Sequence, residues 1–202
     1  MNTVRVGRVL HGTTAEGPGL RSAIWTQGCS IRCAGCINPQ LFSSRGGRDV
    51  SAEELIDAAQ ASGVEGITLL GGEPFDQSDG LAVVAEMAHA ADLGVICFTG
   101  YQHEGLALGP EGHRRFLAAL DLLVDGPYLE SEPEGVRALV GSSNQRFIHL
   151  TERYRDYDPT RSLNRVDVRI GPDGSVEMAG FLDSDGLAVF SAPLGVRRRR
   201  KS

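Results

Sequence analysis

"GITLLGGEPFDQSDGLAVVAEMAHAADLGVICFTG", residues 66–100, sets out one strand, one helix and a second strand in order. The apolar run that opens "GITLLGGEP" (66–74) is too short for a helix and ends in a glycine turn, so it reads as a buried strand. "SDGLAVVAEMAHAADL" (78–93) carries apolar residues at helical spacing, and "GVICFTG" (94–100) is again a short apolar run. The unit extends in both directions. Upstream, "SAEELIDAAQAS" (51–62) opens on Ser51 with Glu54 three residues later, a capping-box signature for a helix, and "SAIWTQ" (22–27) is a short apolar run. Downstream, "GHRRFLAALD" (112–121) reads as a helix, and "LLVDGPY" (122–128) and "RFIHLT" (146–151) as strands. Near-continuously apolar strands alternating with amphipathic helices predict parallel strands with crossover helices, hence an α/β sheet or partial barrel.

The end of the chain changes pattern. "RVDVRI" and "SVEMAGF" flank the turn signal "GPDG", which predicts a β-hairpin over residues 165–181. "LDSDGLAVFSAPLGV" (182–196) is ambiguous, and the closing "RRRRKS" reads as a solvated basic tail. The resulting division is a core at 1–160, a hairpin extension at 161–190 and a basic, disordered tail at 191–202.

With 202 residues, 41% hydrophobic and 23% charged, the chain has the composition of one soluble globular domain with a short appendage. A net charge of -6 argues against a nucleic-acid-binding surface. Neither an apolar run of about 18 residues nor a signal-peptide layout is present, which predicts a cytoplasmic protein without a membrane span. In that reducing compartment, clustered thiols point to metal or catalysis before disulfides. Lys201 in the tail is the only lysine, so no buried lysine is available for Schiff-base chemistry.

In parallel α/β folds, ligands collect at the carboxyl ends of the strands. Those ends here read "TQGC", "GGEP", "FTGY" and "VDGPY", and the first leads into "CSIRCAGC" with Cys29, Cys33 and Cys36. A structural zinc site and a conventional iron–sulfur cluster each ask for four protein ligands, so three leave one coordination position open, which is the catalytic pattern. Cys97 lies mid-strand and reads as core; His11 has no ligand spacing around it.

Cys-x3-Cys-x2-Cys in "CSIRCAGC" resembles the signature of the radical S-adenosylmethionine enzymes. That resemblance implies an open, partial parallel β/α barrel, here with a small C-terminal β-hairpin appendage. It further implies that Cys29, Cys33 and Cys36 hold a [4Fe-4S] cluster whose fourth iron chelates S-adenosylmethionine. "GGEP" (71–74) resembles the loop that in this family receives the methionine amino group, assigning Gly71, Gly72 and Glu73 to cofactor binding. "EGPGLRSAIWTQGCSIRCAGCINP", "FTGY", "LLVDGPY" and "GSSNQ" (141–145) resemble the glycyl-radical-enzyme activases in order from about Gly17 to Leu150, and the anaerobic ribonucleotide reductase activators in particular. Gly35, before the third cysteine, departs from the aromatic residue frequent in the wider superfamily, and the chain beyond Leu150 exceeds the compact activator.

Thr99 and Asp125, at strand ends, are read as contacts to S-adenosylmethionine, with turn or capping roles as the alternative. Asn144 and Gln145 either close the site or cap a loop, and Arg21 either pairs with a carboxylate or forms a surface ion pair. Tyr101 follows a strand end and is placed to face substrate. No protein side chain is assigned as catalytic in its own right. The implied partners are a flavodoxin- or ferredoxin-like one-electron donor and a glycyl radical enzyme. A biosynthetic radical enzyme acting on a small molecule or peptide is the alternative, and a hairpin covering the barrel mouth favours it.

Overall fold

The computed structural model describes residues 3–181; the ambiguous run at 182–196 and the basic tail lie outside the described residues. Among the described residues, nine strands and four α-helices succeed one another as β1 (Thr3–Thr13), β2 (Arg21–Thr26), β3 (Arg48–Ser51), α1 (Ala52–Ala61), β4 (Gly66–Gly71), α2 (Ser78–Ala90), β5 (Gly94–Phe98), α3 (His103–Ala107), α4 (Glu111–Ala118), β6 (Leu122–Asp125), β7 (Arg146–His149), β8 (Val166–Ile170) and β9 (Val176–Gly180). Seven of the strands form one sheet in the order β3-β1-β2-β4-β5-β6-β7, which does not close into a barrel.

β2, β4, β5 and β6 run parallel, as the alternation of strand and helix predicts. The expectation of parallel strands fails at β7, which pairs antiparallel with β6, and at the other margin β1 pairs antiparallel with β2 and β3 with β1. The segments joining β1 to β2 and β6 to β7 contain no helix, so no crossover carries the chain back to the starting end of the sheet. β1 and β3 themselves, and the short α3, were not anticipated from the sequence pattern.

The helices cover one face of this sheet. Ile24, Ile67, Leu69, Val95, Cys97 and Leu123 point into that helix-side core, while Ala23, Trp25 and Leu70, with Phe98 against them, point to the opposite, concave face. The period-two alternation of a strand thus divides each of β2, β4 and β5 between two environments. Ser51 caps α1 by accepting from the Glu54 N–H at 3.1 Å, as expected; the Glu54 carboxylate turns to Arg48 instead of completing the capping box.

Arg21 is fully buried at the start of β2 and fits neither role expected of it. Its guanidinium donates to Thr68 Oγ1 (2.7 Å), Tyr154 Oη (2.6 Å), and the carbonyls of Gly94 (2.9 Å), Pro18 (3.2 Å) and Ile67. These partners lie at the amino-terminal edge of the parallel strands, so Arg21 ties that edge together with its five donors and lies away from the cysteine loop.

The C-terminal hairpin forms as predicted, with Ala179 buried against the concave face. Polar fasteners hold it to β1 and to Glu16 just beyond it. Arg8 Nη1 donates to Met178 O (2.6 Å), Arg169 Nη2 to His11 O (2.6 Å), Thr13 Oγ1 to Asp167, and the Gly180 N–H to Glu16 Oε1 (2.6 Å). Burial raises the Glu16 carboxyl to about 7, against the lowering effects of the Gly180 N–H and Arg8. A carboxyl whose pKa is raised in the fold binds its proton more tightly there than in the unfolded chain, so its contribution is full below the unfolded value of 4.5 and is lost as pH rises through about 7. Urea unfolding across that window should therefore show stability falling with pH, with a smaller slope in Glu16→Gln; an identical slope in the variant would contradict this assignment.

Candidate metal centre

Strands β2, β4, β5 and β6 deliver four loops to one end of the sheet, around a cavity of about 120 Å³. Cys29, Cys33 and Cys36 line it together with Gly71, Gly72, Glu73 and Thr99. Apart from Asp125, the structure therefore brings together every residue that the sequence assigned to the cluster and cofactor.

The cysteine loop is held from several sides. At its root, Gly28 N–H donates to Leu41 O at 2.8 Å and Cys29 N–H to Phe42 O at 3.2 Å. Asp76, on the short 3-10 turn Pro74–Gln77, accepts from Ser30 N–H (2.7 Å) and from Ser30 Oγ (2.8 Å), while Tyr101 Oη lies 3.0 Å from that Ser30 hydroxyl. Tyr101, expected to face substrate, is thus engaged in anchoring the loop. Arg32 takes a positive φ of 53°, and its N–H reaches Cys29 Sγ at 3.4 Å; Asn38 N–H reaches Cys36 Sγ at the same distance. Amide donors aimed at sulfur tune the potential of an iron–sulfur centre; at Cys29 burial outweighs the Arg32 N–H and pushes the thiol up.

The GGEP loop packs directly on that root. Gly72 N–H donates to Thr26 O (2.9 Å) and Glu73 N–H to Gly28 O (2.8 Å). Gly71 adopts φ 104°, and a Cβ there would stand 2.6 Å from Trp25 Cα; a Cβ on Gly72 would collide with the Gly28 carbonyl oxygen. Both glycines are required by this close approach. Glu73, 1% exposed, accepts from Thr99 Oγ1 (2.7 Å), Gly100 N–H (2.9 Å) and Phe75 N–H (2.9 Å), and burial raises its carboxyl to about 7 against these lowering hydrogen bonds.

Asp125 is absent from the cavity lining. Its buried carboxylate accepts from His103 N–H at 2.7 Å, at the start of α3, and from the Arg146 guanidinium at 2.9 Å. Gln145 lines the cavity, and its Oε1 accepts from Gly141 N–H at 3.0 Å; Asn144 Nδ2 donates to Pro127 O at 2.8 Å. Cys97 is buried in the helix-side core, and His11 bonds Ser22 Oγ at 2.8 Å. Sequence reasoning missed Ser30 and Asp76, whose only signal was their position beside the two motifs.

The donor set suits one kind of metal group. All three thiols are free and partly exposed. Among the described residues, no three Cys, His, Asp or Glu side chains gather tightly enough to hold a single metal ion. A tetrahedral zinc would draw its sulfurs to about 4 Å from one another, whereas an iron–sulfur cluster takes each thiolate on a different iron and accommodates a wider triangle. The residues fit a cluster. Gly72→Ala should lower both the iron retained after reconstitution and the urea midpoint, at a cost of about 1–3 kcal/mol; unchanged iron content would show that the close approach of the two loops is dispensable.

Comparison with known proteins bears on the same segment. A family model described as a 4Fe-4S single cluster domain matches residues 15–148. The pyruvate formate-lyase-activating enzyme of Listeria monocytogenes is 38% identical over 96 residues, which is 44% of this chain and 38% of that protein. The corresponding enzyme of Clostridium pasteurianum is 34% identical over 140 residues, 65% of this chain and 55% of that protein. The anaerobic ribonucleoside-triphosphate reductase-activating protein of Enterobacteria phage T4 is 26% identical over 150 residues, 71% of this chain and 92% of that protein. The chain spans well under two thirds of the length of the Listeria and Clostridium enzymes. With the family model covering most of the described core and the three thiols lining one cavity with the GGEP loop, the chain belongs to the 4Fe-4S single cluster domain family, on the radical S-adenosylmethionine pattern that its cysteine motif resembles.

Proposed function

We propose that this chain is a radical S-adenosylmethionine enzyme of the activase group, abstracting hydrogen from its substrate. The carrying observation is that three partly exposed thiols and the GGEP loop line one cavity at the carboxyl ends of the parallel strands. Once bound, the [4Fe-4S] cluster would supply the electron that breaks the S–C5′ bond of S-adenosylmethionine, giving methionine and a 5′-deoxyadenosyl radical as the hydrogen abstractor.

The chain's own residues bind and orient. Cys29, Cys33 and Cys36 would hold the cluster, which leaves one iron for S-adenosylmethionine. The GGEP loop offers carbonyls and the Glu73 carboxylate to the methionine ammonium, with Thr99 and the Gly100 N–H fixing the Glu73 rotamer. Asp125 acts at one remove: by joining α3 to β7 through His103 N–H and Arg146, it sets the loops beyond β5 and β6. Buried carboxylates of this kind shape a site without touching the reacting atoms.

The names of the relatives, which are activating proteins, support a glycyl radical enzyme as the partner; a flavodoxin- or ferredoxin-like electron donor is proposed from the resemblance of the cysteine motif alone. A second reading, a small substrate, is favoured by one observation: the C-terminal hairpin packs across the concave face and encloses space next to the cysteine cavity. No helix among the described residues is long and apolar enough to cross a membrane.

Anaerobic reconstitution with iron and sulfide, followed by S-adenosylmethionine and dithionite, should yield 5′-deoxyadenosine, and Cys33→Ala should abolish it. Absence of that product from protein carrying a full cluster would exclude radical cleavage.

A further inference from the structure

Residues 30–37 carry Cys33 and Cys36, yet they have little polar support from the rest of the chain. Most of their hydrogen bonds are local. Arg32 N–H reaches Cys29 Sγ, Arg32 Nε donates to Cys29 O at 3.3 Å, Cys36 N–H donates to Cys33 O at 3.3 Å, and Cys36 Sγ receives Asn38 N–H. Among the described residues, Ser30 alone in this stretch bonds to a distant segment. Ile31 lies against Gly100 and Gly35 against Tyr128, but these are packing contacts without hydrogen-bond direction.

Ser30 is held by a triangle of side chains. Asp76 Oδ2 accepts from Ser30 N–H at 2.7 Å, Asp76 Oδ1 accepts from Ser30 Oγ at 2.8 Å and from Tyr101 Oη at 3.2 Å, and the two hydroxyls stand 3.0 Å apart. The loops after β2, β4 and β5 meet there. Both holders are fixed by their own backbones: Asp76 N–H donates to Glu73 O at 3.2 Å, Tyr101 N–H donates to Thr99 Oγ1 at 3.1 Å, and Tyr101 O accepts from Gly126 N–H at 3.0 Å. Asp76 enters no ion pair among the described residues, so its carboxylate serves Ser30 and Tyr101. Ser30 and Asp76 are exposed, where a hydrogen bond replaces one to water and adds little to global stability. The effect of the triangle is therefore local, on the residue next to Cys29.

We propose that Asp76 and Tyr101 are positioning residues for the cluster, clamping Ser30 so that the stretch carrying Cys33 and Cys36 is ordered before metal binds. A loop already ordered loses less conformational entropy on binding, so the clamp favours retention of iron. Both residues act through Ser30, and neither bonds to a cysteine sulfur. This inference rests on the cluster reading above.

Hydrogen exchange on the metal-free full chain tests the clamp without a cluster. Relative to unfolded-chain rates, the Ser30 amide should be protected, unlike those of Ala34 and Gly35, which have no acceptor among the described residues. Asp76→Ala should remove the protection. The reconstituted chain is then challenged with a ferrous chelator, bathophenanthroline disulfonate. Asp76→Ala should lose iron about tenfold to a hundredfold faster than the parent, the range expected when a partner that orients a metal ligand is removed, with a nearly unchanged urea midpoint. Asp76→Asn, which keeps an oxygen for Ser30 N–H, and Tyr101→Phe should fall between. An unprotected Ser30 amide in the unaltered chain, parent-like iron loss from Asp76→Ala, or iron loss that quickens only in step with a lowered urea midpoint overturns the proposal. The exchange measurement on unaltered protein decides even if a variant fails to fold. A full cluster with parent-like iron loss in Asp76→Ala sinks this inference alone, whereas an unaltered chain that takes up no [4Fe-4S] cluster sinks the cluster reading and the inference with it.

Discussion

Two backbone hydrogen bonds, from Gly72 N–H to Thr26 O and from Glu73 N–H to Gly28 O, join the loop after β4 to the root of the cysteine loop after β2. They need an approach so close that neither Gly71 nor Gly72 tolerates a Cβ. The parallel pairing of β2 with β4 in register from Arg21 to Thr26 brings the two strand ends level, and the loops continue that pairing beyond the sheet. The cysteine loop and the GGEP loop are thereby joined into one unit. Asp76 and Ser30 extend this unit, and Glu73 carries it across to β5 through Thr99 and Gly100.

Much of the fold was legible because the parallel strands are buried on both faces and the helices are amphipathic. "GITLL" and "GVICF" announce themselves by composition alone. β1 did not, because "TVRVGRVLHGT" mixes buried valines with arginines whose purpose appears only on docking: Arg8 on Trp25 and Met178, and Arg5 on Asp49. The antiparallel margins were likewise hidden. A strand direction depends on whether the connection crosses over, and the long helix-free segment before β7 carries no local sign of that.

The site divides in the same way. Cys29, Cys33, Cys36 and GGEP are dense local motifs, so spacing and resemblance reveal them. Arg21 is the instructive failure: from sequence it sits in a loop-rich segment and invites a surface role, yet its partners Thr68, Gly94 and Tyr154 are far along the chain and bury it completely. Ser30 and Asp76 escape notice for another reason. Both are ordinary turn residues, and only the tertiary approach of their loops gives them a shared task.

The account stands on three thiolates and one iron left to a non-protein ligand. Mössbauer spectroscopy of the reconstituted protein, recorded with and without S-adenosylmethionine, addresses this directly. The predicted result is a [4Fe-4S] signal in which S-adenosylmethionine perturbs one iron site and leaves the others unchanged, both in the parent and in Cys97→Ala. A spectrum unmoved by S-adenosylmethionine, or a cluster lost in Cys97→Ala while that variant stays folded, would mean that the protein supplies the fourth ligand and would contradict the account.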